Sequence, residues 1–119
     1  MKLVVCDDDP VIRYLLEVVL AKRGGHDVTA IEDASEVAGA VAADIPDLVL
    51  LDFMMPGLSG LDVASELASD PLTASVPVVF LTGRSDIADE TFEDLNVVGV
   101  IEKPFDTSTL ATRLQEMIT

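Results

Sequence analysis

One cysteine, one histidine and seven basic residues are all that this chain of 119 residues contains, and each scarcity removes a class of function. A lone Cys6 closes no internal disulfide, the absence of a CxxC pair removes a zinc ribbon, and a free thiol suits a reducing compartment. His26 has no second histidine and no nearby cysteine, so a metal or catalytic role lacks partners. No apolar run approaches the roughly 18 residues that span a bilayer, and MKLVVC is too short before its acids to form a signal-peptide core. A cytoplasmic address with no membrane contact is therefore expected. Seven Lys and Arg stand against 22 Asp and Glu, a formal charge of −15. That balance repels a phosphate backbone, and no direct nucleic acid binding is expected. No GxxxxGK[ST] loop is present to cradle a nucleotide.

What remains is a chain that is 50% hydrophobic, long enough to bury a core without staples, and read as one domain over residues 1–119. Most of its acids are a solvated surface. Short Val, Leu and Ile runs lie at 3–6, 28–31, 47–52 (DLVLLD), 76–82 (VPVVFLT) and 97–103 (VVGVIEK). They are continuous rather than alternating, the mark of strands covered on both faces, and so of a parallel sheet. Helical segments separate them. Asp9 and Pro10 form an N-cap and first-turn pair, followed by Val11, Leu15 and Val18 beside Ile12, Leu16 and Val19 on one side, ending at Gly24 and Gly25. DASE at 33–36 starts a second helix in the manner of a capping box, and Ser59 opens a third over Gly60 to Ala68. Residues 86–95 give a weak acidic helix, and Leu110, Leu114, Met117 and Ile118 give the last its stripe. The pattern is (βα) five times, an α/β doubly wound sheet.

Ligands of such sheets bind outside the carboxyl ends of the strands. Asp7, Asp8 and Asp9 follow the first strand, Asp52 ends the third, Thr82 the fourth, and Lys103 with Pro104 the fifth. Two carboxylates about 4 Å apart repel by roughly 4 kcal/mol at an effective dielectric of 20, so Asp7, Asp8 and Asp52 call for a cation. All-oxygen ligation points to Mg²⁺ or Mn²⁺. A metal, a lysine to neutralise an oxyanion, a hydroxyl donor and a carboxylate are parts for handling a phosphoryl group, with Asp52 as its acceptor. Asp9 is read as a helix cap, Cys6 as a small core residue, and the glycines of PGLSG at 56–60 as backbone geometry rather than a phosphate cradle.

VVCDDDP, LVLLDFMMPGLSGLD, VVFLTGR and VIEKPFD together resemble the receiver domain of two-component response regulators, of the kind seen in chemotaxis regulators, and the resemblance runs the length of the chain. It implies a flavodoxin-like fold with strand order 2-1-3-4-5. It implies Asp52 as phosphoacceptor, Asp8 as a direct metal ligand, Asp7 as a ligand through water, and a main-chain carbonyl from Met54. Thr82 would hydrogen-bond one phosphoryl oxygen and Lys103 pair with another, with a cis Lys103–Pro104 bond. The implied donor is a phosphohistidine on a sensor histidine kinase or histidine phosphotransfer protein. The implied readout is contact with a downstream protein or onward phosphotransfer in a phosphorelay, or, where a further domain follows Thr119, a DNA-binding or enzymatic output. Beyond self-catalysed phosphotransfer and slow autodephosphorylation, no enzyme activity is expected.

The chain departs from that family at Val100, where a Tyr or Phe is usual three residues before the lysine. This motivates an alternative, a receiver-like binding module that acts without phosphorylation. Arg84 and Met54 stand at positions that tune water access in the family. A metal-dependent phosphohydrolase lacks a cap domain and substrate pocket, and a flavodoxin would set its flavin phosphate against acids. The acidic segment 86–95 suggests a basic partner surface.

Overall fold

Apolar runs bounded by turn residues form strands in all five places expected, but only the three central runs, at 3–6, 48–52 and 78–82, are buried on both faces. The run at 27–31, on the edge of the sheet, is exposed at alternate positions, and the run at 97–102, on the other edge, is half-buried along most of its length. The computed structural model describes residues 1–83, 92 and 94–118. Strands β1 (Lys2–Cys6), β2 (Asp27–Ile31), β3 (Leu48–Asp52), β4 (Val78–Thr82) and β5 (Val97–Glu102) make one sheet ordered β2-β1-β3-β4-β5. Every pairing is parallel, in keeping with the near-continuous apolar runs of the central strands.

Side chains alternate across a strand, so each run supplies two cores. Leu3 and Val5, Leu48 and Leu50, Val79 and Leu81 turn to one face, where Leu16, Val19, Leu20, Leu110 and Leu114 cover them. Val4 and Cys6, Val49 and Leu51, Val78 and Phe80 turn to the other, under Val37, Val41, Val63 and Leu67. Each such side chain fully removed from water contributes about 1.5 to 3 kcal/mol. The two-sided burial holds the strand ends, and hence everything mounted on them, in fixed register.

Helix α1 (Pro10–Leu16) continues through a wider π-type segment over Glu17–Arg23, and α2 (Val37–Ala43) is entered by a 3₁₀ turn at Ala34–Glu36. Helices α3 (Gly60–Ser69) and α4 (Leu110–Ile118) complete the described set. Asp9 caps α1 by accepting the Val11 amide at 2.9 Å, with Pro10 in the first turn. Ser59 and Asp62 exchange a full capping box at the start of α3. The box read at 33–36 forms only in half: Asp33 accepts the amide and hydroxyl of Ser35 at 3.0 and 2.8 Å, and Glu36 makes no return bond.

Val11 corrects the expected inner face of α1. It is 70% exposed, and the buried positions are Leu16, Val19 and Leu20. The first turn starts at the carboxyl edge of the sheet, before the helix reaches the strands it packs on. The expected acidic helix at 86–95 and Arg84 fall outside the described residues, save Phe92, Asp94 and Leu95. Among the described residues no helix is long and apolar enough to cross a membrane.

Candidate functional site

Sheet register assembles the site. Cys6 of β1 pairs with Leu51 of β3, so one further step sets Asp7 beside Asp52. Thr82 pairs with Glu102 at the end of β4 and β5, which places Lys103 one residue beyond. Residues far apart in sequence therefore meet at one edge of the sheet, beyond the carboxyl ends of adjacent strands.

The carboxylates of Asp7, Asp8 and Asp52 each bring an oxygen within 4.8 Å of the others. Asp7 is fully buried, Asp52 is 6% exposed, and Asp8 is open to solvent. Lys103 Nζ lies 3.0 Å from Asp7 Oδ2 and 3.3 Å from Asp52 Oδ1. Asp7 Oδ2 nevertheless has no aligned hydrogen-bond donor, so the ammonium meets it as charge against charge. A buried carboxylate oxygen without a directed donor is a costly arrangement. One ammonium among three acids leaves a site that a further cation would complete. Oxygens bound to Mg²⁺ at about 2.1 Å sit about 3 to 4 Å apart, so this donor set fits such an ion with a small contraction or an intervening water.

Titration follows from the same geometry. Burial, followed by the negative charge of Asp7, pushes Asp52 up from 3.8 to about 6, against the pull of Lys103 and of the Met54 amide. Burial draws the Lys103 ammonium down, and the Asp7 and Asp52 carboxylates outweigh it, leaving the group above its ordinary value. Cys6, under the same carboxylates and buried, is pushed up to about 12.

Of the remaining expected residues, Thr82 is 1% exposed, and its main-chain oxygen accepts the Lys103 amide at 2.6 Å. The Lys103–Pro104 bond is cis. The Met54 amide points at Asp52 Oδ1 from 3.4 Å, a weak contact, and the residue is 61% exposed. Asp9 holds the helix cap and stands apart from the cluster. Cys6 packs as a core residue with Sγ 3.7 Å from Met55 Sδ. An open cleft of about 500 Å³ beside Asp8 is lined by Glu32, Asp33, Glu36, Met55 and Pro56.

Two glycines of the 56–60 turn carry the backbone role expected of them. Gly57 has φ of 81°, a left-handed conformation that costs a side-chain-bearing residue energy. A Cβ on Gly60 would lie 2.5 Å from the Asp52 carbonyl oxygen and 2.9 Å from Phe53 Cα, so the start of α3 presses directly on the end of β3. The residue that sequence reasoning missed is Arg13, whose Nη1 donates to the Asp7 main-chain oxygen at 2.8 Å. Its only signal in the sequence is a basic residue five positions after Asp8, early on the helix that follows the acids.

The response regulator receiver domain family model matches residues 3–115. The DNA-binding response regulator MtrA of Mycolicibacterium smegmatis is 38% identical over 116 residues, 96% of this chain and 49% of that protein. The phosphate regulon transcriptional regulatory protein PhoB of Pseudomonas aeruginosa is 31% identical over 118 residues, 98% of this chain and 51% of that protein. Among solved structures, a response regulator receiver domain protein from Clostridium thermocellum matches with a TM-score of 0.83 at 25% identity, covering 98% of this chain and 93% of that one. The chain spans about half the length of the curated relatives it matches.

These relatives correct one expectation. Net charge had implied no direct nucleic acid binding, yet MtrA is a DNA-binding response regulator and PhoB a transcriptional regulator. The charge of −15 describes 119 residues, and acidity in a stretch equivalent to half of such a protein does not govern what the protein contacts.

Proposed function

This chain belongs to the response regulator receiver domain family of two-component systems, and from that membership we propose that it is a phosphoryl-accepting signalling receiver whose acceptor is Asp52. The observation that carries the reading is the meeting of Asp7, Asp8 and Asp52 with Lys103 at the carboxyl edge of the sheet. The donor is a phosphohistidine on a sensor histidine kinase or a histidine phosphotransfer protein. An Asp52 carboxylate oxygen forms the P–O bond as the P–N bond to the imidazole breaks, and the released ring takes up a proton. Asp52 Oδ1 is already engaged by Lys103 and the Met54 amide, which leaves Oδ2 as the attacking oxygen.

The chain's own groups divide the remaining work. The Lys103 ammonium pairs with one phosphoryl oxygen, and the Thr82 hydroxyl donates to another once drawn inward. Asp7, Asp8 and Asp52, with the Met54 carbonyl, would hold Mg²⁺ or Mn²⁺. Such an ion, when bound, neutralises the gathered carboxylates and shares the charge of the phosphoryl oxygens. Because Asp52 is itself modified and is freed only by slow hydrolysis, the protein acts as a switch rather than a turnover catalyst. Inward movement of Thr82 biases the packing of β4 and β5, and the change is read by a partner protein or by a DNA-binding output such as the names of MtrA and its relatives carry. Val100, half-buried against the core at the place where the family usually has an aromatic, favours the second reading, a module that binds partners without phosphorylation.

Intact mass after incubation with Mg²⁺ and acetyl phosphate, with and without chelator, tests the proposal. A single hydroxylamine-labile phosphoryl adduct, lost with chelator and in Asp52→Ala, is expected. No adduct with several small donors, on folded protein that binds Mg²⁺, would shift the assignment to the phosphate-independent module.

A further inference from the structure

Asp8 is the exposed member of the carboxylate cluster, and among the described residues its side chain makes no hydrogen bond or ion pair. Among the described residues, what constrains it is the backbone beneath it, which sets the direction of its Cα–Cβ bond. That backbone is held at both flanks. Asp7 Oδ1 accepts the Asp9 amide at 2.9 Å, and Asp9 Oδ1 accepts the Val11 amide at 2.9 Å. Arg13 then closes the loop twice: its amide donates to the Asp9 carbonyl at 3.0 Å and its guanidinium Nη1 to the Asp7 carbonyl at 2.8 Å. The carbonyls of Asp7 and Asp9, the residues on either side of Asp8, are thereby bridged by a single residue on the first turns of α1.

We propose that Arg13 is a positioning residue for cation binding, fixing through its bond to the Asp7 carbonyl the loop that aims Asp8 at Asp7 and Asp52. The inference rests on the reading of the Asp7, Asp8 and Asp52 cluster as a divalent-cation site. Groups that orient ligands tune metal affinity, and their loss costs about 10-fold or more. Simple electrostatics gives the opposite sign. Arg13 is a positive charge close to an anionic site, and as a mere counter-charge it would repel an incoming cation, so that its removal would tighten binding.

Mn²⁺ affinity, read from the free-ion electron paramagnetic resonance signal without any phosphodonor, separates the two. Arg13→Met is expected to bind Mn²⁺ about 10-fold more weakly than the parent. Arg13→Lys, which keeps a cationic donor of similar reach, is expected to recover most of the difference. Arg13→Gln, shorter and uncharged, should match Arg13→Met and serves if the methionine variant does not fold. Binding by Arg13→Met or Arg13→Gln that equals or exceeds the parent's overturns the assignment of Arg13 alone. A folded parent that binds no Mn²⁺, or an Asp8→Asn variant that binds as the parent does, overturns the cation-site reading and the inference with it.

Discussion

Neutralising Asp52 without changing its shape should make the metal-free protein more stable at neutral pH. The group is 6% exposed, and burial together with Asp7 holds it near 6 instead of 3.8. Between those values the folded chain keeps a proton that the unfolded chain has released. The stabilising contribution of this group is therefore fully present below about 3.8 and lost as pH rises through about 6. At about 1.4 kcal/mol per unit, two units set an upper bound of about 3 kcal/mol. The pull of Lys103 is already contained in that value, and screening by water at the open Asp8 side reduces the bound to about 1 to 2 kcal/mol. Urea unfolding of parent and Asp52→Asn in chelator, from pH 4.5 to 7.5, should show a stability difference that grows as pH rises and levels off above about 6. A domain of this length should gain about 5 to 10 °C in Tm at pH 7.5. Adding Mg²⁺ at ten times its dissociation constant should restore about 1.4 kcal/mol to the parent, and little to the variant. A difference that is flat with pH, or an Asp52→Asn protein less stable than the parent at pH 7.5, would refute the electrostatic account of the cluster.

Two further outcomes follow from packing around the same edge. Gly60→Ala should destabilise the fold by about 2 to 3 kcal/mol in urea and lower phosphoryl uptake, since its Cβ would meet backbone atoms of Asp52 and Phe53 rather than a flexible side chain; a change within about 0.5 kcal/mol would remove the claimed contact. Cys6, buried and pushed up to about 12, should react with a disulfide reagent at pH 8 on the order of a thousandfold more slowly in the folded chain than in urea, and fast labelling of folded protein would contradict its place in the core.

Strand runs, helix caps and the residues of the cluster were legible in the chain because each has a local cause. Continuous apolar residues at 48–51 and 78–81 report two-sided burial, and both strands are buried throughout. Asp9 before Pro10 and Ser59 before Asp62 report helix starts through bonds spanning two or three residues. The inner face of α1 was less legible. Val11 has the right periodicity for burial, but burial also needs a neighbour, and Val11 stays 70% exposed while Ile12 beside it packs on the core. Arg13 was missed for a related reason, since a basic residue on an amphipathic helix reads as solvated unless its main-chain acceptor is known. The nucleic-acid expectation failed because composition was extended past the residues it described.

Sequence alone therefore determined which of the described elements form and which chemical groups stand at their ends, since periodicity, capping and residue type act over a few neighbours. Tertiary structure decided the rest. Parallel register brought Asp7 level with Asp52 and carried Lys103 past β4 to Asp52 and past β3 to Asp7. Burial then separated three chemically identical carboxylates into a closed Asp7, a raised Asp52 and an open Asp8. Distance and dielectric set those differences, and neither exists until the strands are side by side.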